Sequence, residues 1–205
     1  MDAIPPALSS APRTLRSARA GARRFGTVAG LLPALALAAV LLLGSDEAPA
    51  ACTDVPAPNV QWRRCILDGA VLTGADLRGA DLRDTSFKRA DLSGAVLTGA
   101  DATRAKLVST SLAGARLDQV NLTFADLTNA DLAKASLKGA SLRGAKLFSA
   151  SLRGADLAEA IAEGTDFLHA DLSGATWIDG RTICAEGSLG RCNPGGKRAG
   201  EHAGN

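Results

Sequence analysis

From Cys65 to Asp179 the chain keeps a five-residue frame without a slip, and nothing else in it restricts the possible folds so tightly. These 115 residues divide into 23 blocks, with Ala first in 18, Leu third in 18 and Gly fifth in 11. Ala75-Asp76-Leu77-Arg78-Gly79 and Ala90-Asp91-Leu92-Ser93-Gly94 show the rule. A period of five fits neither the helical repeat of about 3.6 nor the strand repeat of about 2. Two apolar positions two apart, then more polar ones, fit a short extended segment followed by a corner. A chain that turns the same way at every corner closes a coil. Successive coils then stack at the inter-strand spacing of about 4.8 Å.

The frame closely resembles the pentapeptide-repeat family, whose consensus is A-(D/N)-L-x-x, over 65–179. The resemblance implies an all-β fold: a right-handed quadrilateral parallel β-helix with four blocks per coil. The 23 blocks then make about six coils and a rod roughly 28 Å long. Leu at position three would fill the axis with Ala beside it, and Gly at position five would suit a corner with unusual backbone angles.

The exceptions are informative. Position three is Phe at Phe87 and Phe167, Trp at Trp177, and Ala at Ala102 and Ala162. With four blocks per coil, Phe87 shares a coil with Ala102, and Phe167 follows Ala162 directly. Both pairs read as volume compensation in a close-packed axis. At position one the exceptions Cys65, Thr85, Thr110, Val120 and Thr165 are all small.

Residues 1–50 read as a signal peptide: a basic n-region with Arg13, Arg16, Arg19, Arg23 and Arg24, an apolar h-region over 26–44, and the small-residue site Ala48-Pro49-Ala50. Cleavage is expected after Ala50, and the protein is expected in the periplasm or secreted. The alternative is an uncleaved 26–44 segment anchoring it to the inner membrane, with the repeats outside. Arg23-Arg24-Phe25 is an incomplete twin-arginine pattern, and Cys52 lacks a preceding lipobox. No other contact with a membrane is expected.

All four cysteines, Cys52, Cys65, Cys184 and Cys192, lie beyond that segment, and an even count in an oxidising compartment reads as disulfides. About six coils separate the two pairs, and a disulfide needs Cα atoms within roughly 7 Å. Cys52–Cys65 and Cys184–Cys192 are therefore expected, with a free buried Cys65 as the alternative. A metal site fits neither the spacing nor the presence of only His169 and His202. Residues 51–64, with Trp62, read as an N-terminal cap, and 180–192 as a C-terminal disulfide cap over edges an open solenoid leaves bare. The stretch Ala175 to Cys184, closed by Gly187 to Cys192, also resembles the ends of exported pentapeptide-repeat proteins. Residues 193–205, rich in Gly and charge, read as a disordered tail.

Function must then lie on the outside of the frame. Some members of the family protect type II topoisomerases by mimicking DNA, which needs a strongly acidic surface. Residues 65–179 hold 12 Lys and Arg against 15 Asp and Glu, a net of −3, and 51–205 balance at 18 each. That near-neutrality, the leader and the lack of a long C-terminal amphipathic segment argue against the mimic, and the charge argues against nucleic-acid binding generally. Lys88, Arg89 and Lys106 form only a modest basic cluster. Counting in twenties, one outward column reads Asp68, Lys88, Val108, Thr128, Phe148, Leu168. Its apolar members Val108, Phe148 and Leu168 mark a candidate partner surface, for an unknown protein or for self-association. Phe124 and Ile161 point outward from another face. The repeated position-two Asp residues fall two coils apart along a face, too far to share one cation, so they are expected to bond backbone at the corners. No catalytic, cofactor or metal site is evident. The expectation is a non-catalytic exported scaffold or protein-binding surface, with the topoisomerase-protecting DNA mimic as the alternative.

Overall fold

A computed structural model describes residues 52–198. The leader, its cleavage site and the possible anchor at 26–44 lie outside the described residues, as does the end of the tail. Among the described residues no helix is long and apolar enough to cross a membrane.

The architecture follows from where each backbone polar group finds its partner. Position-two residues bridge in parallel to the residue twenty further on, from Gln61↔Asp81 to Asp156↔Thr176. The position-one N–H donates back across the corner, as Ala80 does to the Leu77 carbonyl at 3.1 Å. The position-two N–H reaches the rung before, Asp81 to Val60 at 2.9 Å. Positions three and five reach the rung after, Leu82 to Asp101 at 2.7 Å and Asp84 to Thr103 at 3.0 Å. The ladder leaves the position-four N–H without a partner, and the position-two side chain supplies one. Oδ1 of Asp91 accepts from Ser93 at 2.9 Å, Oδ1 of Asp131 from Ala133 at 3.0 Å, and Oδ1 of Asn121 from Thr123 at 3.1 Å. Asp76, Asp81, Asp101, Asp126, Asp156, Asp166 and Asp171 do the same. These Asp residues thus act on the corners.

Each corner from Arg64 to Gly174 carries a positive φ at position five and not at position four, the signature of a type II turn, and after the last block the positive φ falls on Gly180. Gly94 sits there at 65°, but so do Lys134 at 58° and Phe124 at 58°. An L-residue in this region costs about 1–2 kcal/mol. The N–H of that same residue bonds to the next rung, as Lys134 does to Arg153 at 2.8 Å, and this holds the turn.

The frame begins earlier than its composition suggests. Val60 and Trp62 are buried at positions one and three of a further block, and Arg64 takes the corner φ of 61°. The expected cap over 51–64 therefore contains a true rung, hidden because Val and Trp replace Ala and Leu. Cys52 bonds to Cys65, which occupies a position-one slot, and Cys184 bonds to Cys192. None of the four cysteines is free.

Inside, the position-three Leu residues from Leu72 to Leu157 are buried, and Phe87 and Ala102 are buried with them. The buried position-one threonines are satisfied by the preceding rung: Thr110 Oγ1 donates to the Phe87 carbonyl at 2.7 Å, and Thr85 to that of Trp62. At the C-terminal end Phe167 packs on Trp177, with ring centroids 5.6 Å apart. Two blocks separate these residues, so their rings meet across the axis. Blocks 160–169 receive no further parallel rung among the described residues, and Ala162 and Phe167 are only half-buried.

The last rungs are closed by reversing direction. Strand β1, Thr182–Cys184, pairs antiparallel with β2, Pro194–Arg198, and Ile183 and Leu189 bridge antiparallel to Thr176 and Asp171. The sequence reading begins a disordered tail at 193, whereas Pro194–Arg198 is a strand; composition could not reveal that β1 offers it an edge. Asp179 organises the entry to this cap, accepting from the Thr182 hydroxyl at 2.6 Å, the Thr182 amide at 2.8 Å and the Arg181 amide at 2.9 Å. Those bonds, the Thr182 hydroxyl foremost, lower its pKa from 3.8 to about 2.

Three outcomes are expected. Ala102→Leu should lower unfolding stability by about 1–3 kcal/mol in denaturant melts. Phe87→Leu should recover part of that loss in the double variant. Gly94→Ala, placed in open space, should cost about 1 kcal/mol through backbone strain alone, while Lys134→Gly should cost little. Because folding depresses the Asp179 pKa, its contribution is complete above about pH 4 and lost as pH falls toward about 2. Acid titration of Asp179→Asn should therefore show a flatter stability profile across that window.

Candidate functional site

The offset of twenty turns the outer surface into columns. A residue that the frame does not need is repeated in space by the residues twenty before and after it. Position two forms the middle of a face, while positions four and five form its corners. One face carries Ser86, Lys106, Asp126, Lys146 and Asp166 along its middle. Asp84, Arg104, Phe124 and Gly144 run along one corner, and Lys88, Val108, Thr128, Phe148 and Leu168 along the other.

The predicted partner column divides in two. Phe148 and Leu168 are exposed, at 38% and 54%. The Phe148 and His169 rings meet in a T-shaped contact at a centroid distance of 5.4 Å, and 38% of Phe148 remains open to solvent. Val108 is half-buried and belongs to a separate depression near the N-terminal end of the same face. Of the axis and cap residues, Phe87 and Ala102 are enclosed, while Ala162, Phe167 and Trp177 lie at the C-terminal closure.

That depression has a volume of about 580 Å³ and is open to solvent. Lys88, Arg89, Arg104 and Lys106 line it, with Val108 and Phe124 as its apolar wall and Asp126 as its only acidic lining residue. Phe124, which the sequence reading assigns to another face, stands at the shared corner and is 65% exposed. Its ring lies over Gly144, where an added Cβ would come within 2.6 Å of Cδ1 and Cε1. The missing side chain at 144 therefore makes the seat for the ring. Arg104 is held by a two-point ion pair with Asp84, Nε to Oδ1 at 2.7 Å and a terminal nitrogen to Oδ2 at 2.9 Å. The Arg104 hydrogen bond keeps the Asp84 carboxyl below its usual range and raises the guanidinium. Asp126 accepts its own corner amide from Thr128 at 3.1 Å. Among the described residues no carboxylate lies within ion-pair distance of Lys88, Arg89 or Lys106.

The sequence points to three of these four cations; Arg104 joins them because it pairs with Asp84 one rung away along the corner. The sequence reading passed over Ile66 and Val71, which are 77% and 80% exposed at position two of the early blocks. Their signal was legible: both are apolar where the frame places mostly polar or charged residues.

Comparison with known proteins places this geometry. The family described as pentapeptide repeats matches in eight overlapping copies that together run from 57 to 176, more than half of the 205 residues. Among solved structures, HetL, a pentapeptide repeat protein involved in heterocyst differentiation regulation in the cyanobacterium Nostoc sp. strain PCC 7120, is 31% identical. That match covers 63% of this chain and 73% of HetL, with a TM-score of 0.31. QnrB1, a plasmid-mediated fluoroquinolone resistance protein, is 22% identical over 58% of this chain and 65% of its own, with a TM-score of 0.37. A pentapeptide repeat protein of the Arabidopsis thaliana thylakoid lumen is 24% identical over 58% of this chain and 72% of its own, with a TM-score of 0.31. No curated protein sequence matches the chain.

Proposed function

Since the chain belongs to the pentapeptide-repeat family, whose members are right-handed β-helical repeat proteins, we propose that it is an exported, non-catalytic member that works as a protein-binding scaffold. Its β-helix is four-sided with about six coils; the twenty-residue offset, equal to four blocks, supports this. The observation that carries the binding reading is the pair Phe148 and Leu168. They stand one rung apart on an outward corner, where most residues of the frame are polar or small. An apolar pair in register there has no role in the axis and offers a site for a partner protein or a second copy.

Export is supported by three features. Five arginines precede an apolar run and an Ala48-Pro49-Ala50 site. All four cysteines stand in disulfide pairs, as expected of a protein that matures in an oxidising compartment. The caps that these pairs staple are the two ends an isolated solenoid must protect. A net charge of −3 over 65–179 gives no support to DNA mimicry.

Affinity capture from periplasmic extract, paired with sedimentation of the purified protein, tests the binding reading. The wild type should retain a protein partner or self-associate, and Phe148→Asp should lose that property while melting at the same temperature. If capture and oligomeric state are both unchanged in Phe148→Asp, this surface is not the interface. Mass measurement of the exported product should show cleavage after Ala50; retention of 26–44 would instead establish an anchor.

A further inference from the structure

We propose that the depression around Lys106 is a binding site for a phosphomonoester carried on a flat, apolar-faced ring. The proposal does not depend on the Phe148–Leu168 surface, which lies two and three rungs further along the face.

Charge selects the anion. Four cations line the depression. Asp126 in the lining, Asp84 on Arg104 and Asp68 beside Lys88 and Arg89 offset three of them, leaving +1 in a frame whose total is −3. A phosphomonoester carries about −1.5 to −2 at neutral pH, whereas a carboxylate or sulfate ester carries only one charge. Asp68, one rung toward the N-terminus from Lys88, is held by the Ser86 hydroxyl at 2.5 Å and the Lys88 amide at 3.0 Å, and it forms no ion pair with the Lys88 or Arg89 side chain. Lys88, Arg89 and Lys106 keep their donors for a ligand, and Arg89 offers the planar fork that suits phosphate oxygens.

Shape selects what carries the phosphate. Phe124 is the aromatic wall of the depression, and its ring is seated by the bare corner at Gly144 rather than left to swing in solvent. A flat group stacked on its open face would have its phosphate directed toward the cations on the other side. The same geometry speaks against an extended polyanion. Asp84 on one corner and Asp126 within the central row interrupt the basic strip, so successive phosphates of a nucleic acid would meet carboxylates. Aryl phosphates carry both features.

Calorimetric titration of the oxidised, full-length protein with phenyl phosphate tests the site. One equivalent should bind, and Lys88→Ala and Lys106→Ala, both exposed positions, should each weaken binding at least tenfold. Phenyl sulfate, of the same shape with one charge fewer, should bind at least tenfold more weakly. Phe124→Ser should abolish the preference for phenyl phosphate over inorganic phosphate while leaving the affinity for inorganic phosphate within twofold. Phe148→Asp should bind phenyl phosphate as the wild type does, which separates this site from the protein-binding surface. Absence of binding at millimolar phenyl phosphate, or equal binding by wild type and both lysine variants, would overturn the assignment. Equal binding of phenyl sulfate would overturn the preference for a dianion.

Discussion

Everything in this protein depends on satisfying backbone hydrogen bonds in a chain that has almost no ordinary secondary structure. Each five-residue block offers only a single bridging residue to its neighbours, so no strand is long enough to hold itself. Four of the five N–H groups in a block are absorbed by the corner and by adjacent rungs. Where position two is Asp or Asn, its side chain takes the fifth. An unpaired amide at every corner would cost on the order of 1 kcal/mol each where it is shielded from water. The Asp that recurs through the sequence is thus part of the backbone's own accounting, and its Oδ1 is committed before any ligand arrives.

The same economy explains the caps. A solenoid buries its axis only between rungs, and its last rung on each side exposes both apolar residues and unpaired backbone. Trp62 fills the axis at one end, and Phe167 meets Trp177 across it at the other. A disulfide holds each closing segment, and at the C-terminal end antiparallel pairing replaces the parallel ladder. With the interior and both ends assigned to packing, recognition is left to side chains at outward positions. There the twenty-residue offset amplifies small choices in sequence. Lys88 and Val108 become neighbours, as do Arg104 and Phe124, and a single absent side chain at Gly144 decides where an aromatic ring rests.

Much of this could be read from the residues. The frame, its inward Ala and Leu, the corner role of Asp and the disulfide partners all follow from period and spacing, because each is set within a block or by the number of blocks between two points. Two of the differences share a cause. Val60 and Trp62 belong to a rung although their residue types hide it, and Pro194–Arg198 is a strand although its composition suggests a loose tail. In both places an edge supplied by distant residues overrides the local signal. Phe124 was assigned to a different face because residues at position five belong to a corner and can serve either side of it.

The sequence by itself determined the repeat and its length, which residues line the axis, and the pairing of the cysteines, since a five-residue period leaves each block a single way to place its apolar side chains. Counting in twenties gives the outward columns, and only the tertiary structure decided how side chains of those columns meet one another. Columns and corners arise from stacking rungs, and the lean of Phe124 over Gly144, the ion pair of Arg104 with Asp84 and the edge contact of Phe148 with His169 are contacts across eighteen or more residues of chain, which no local period encodes.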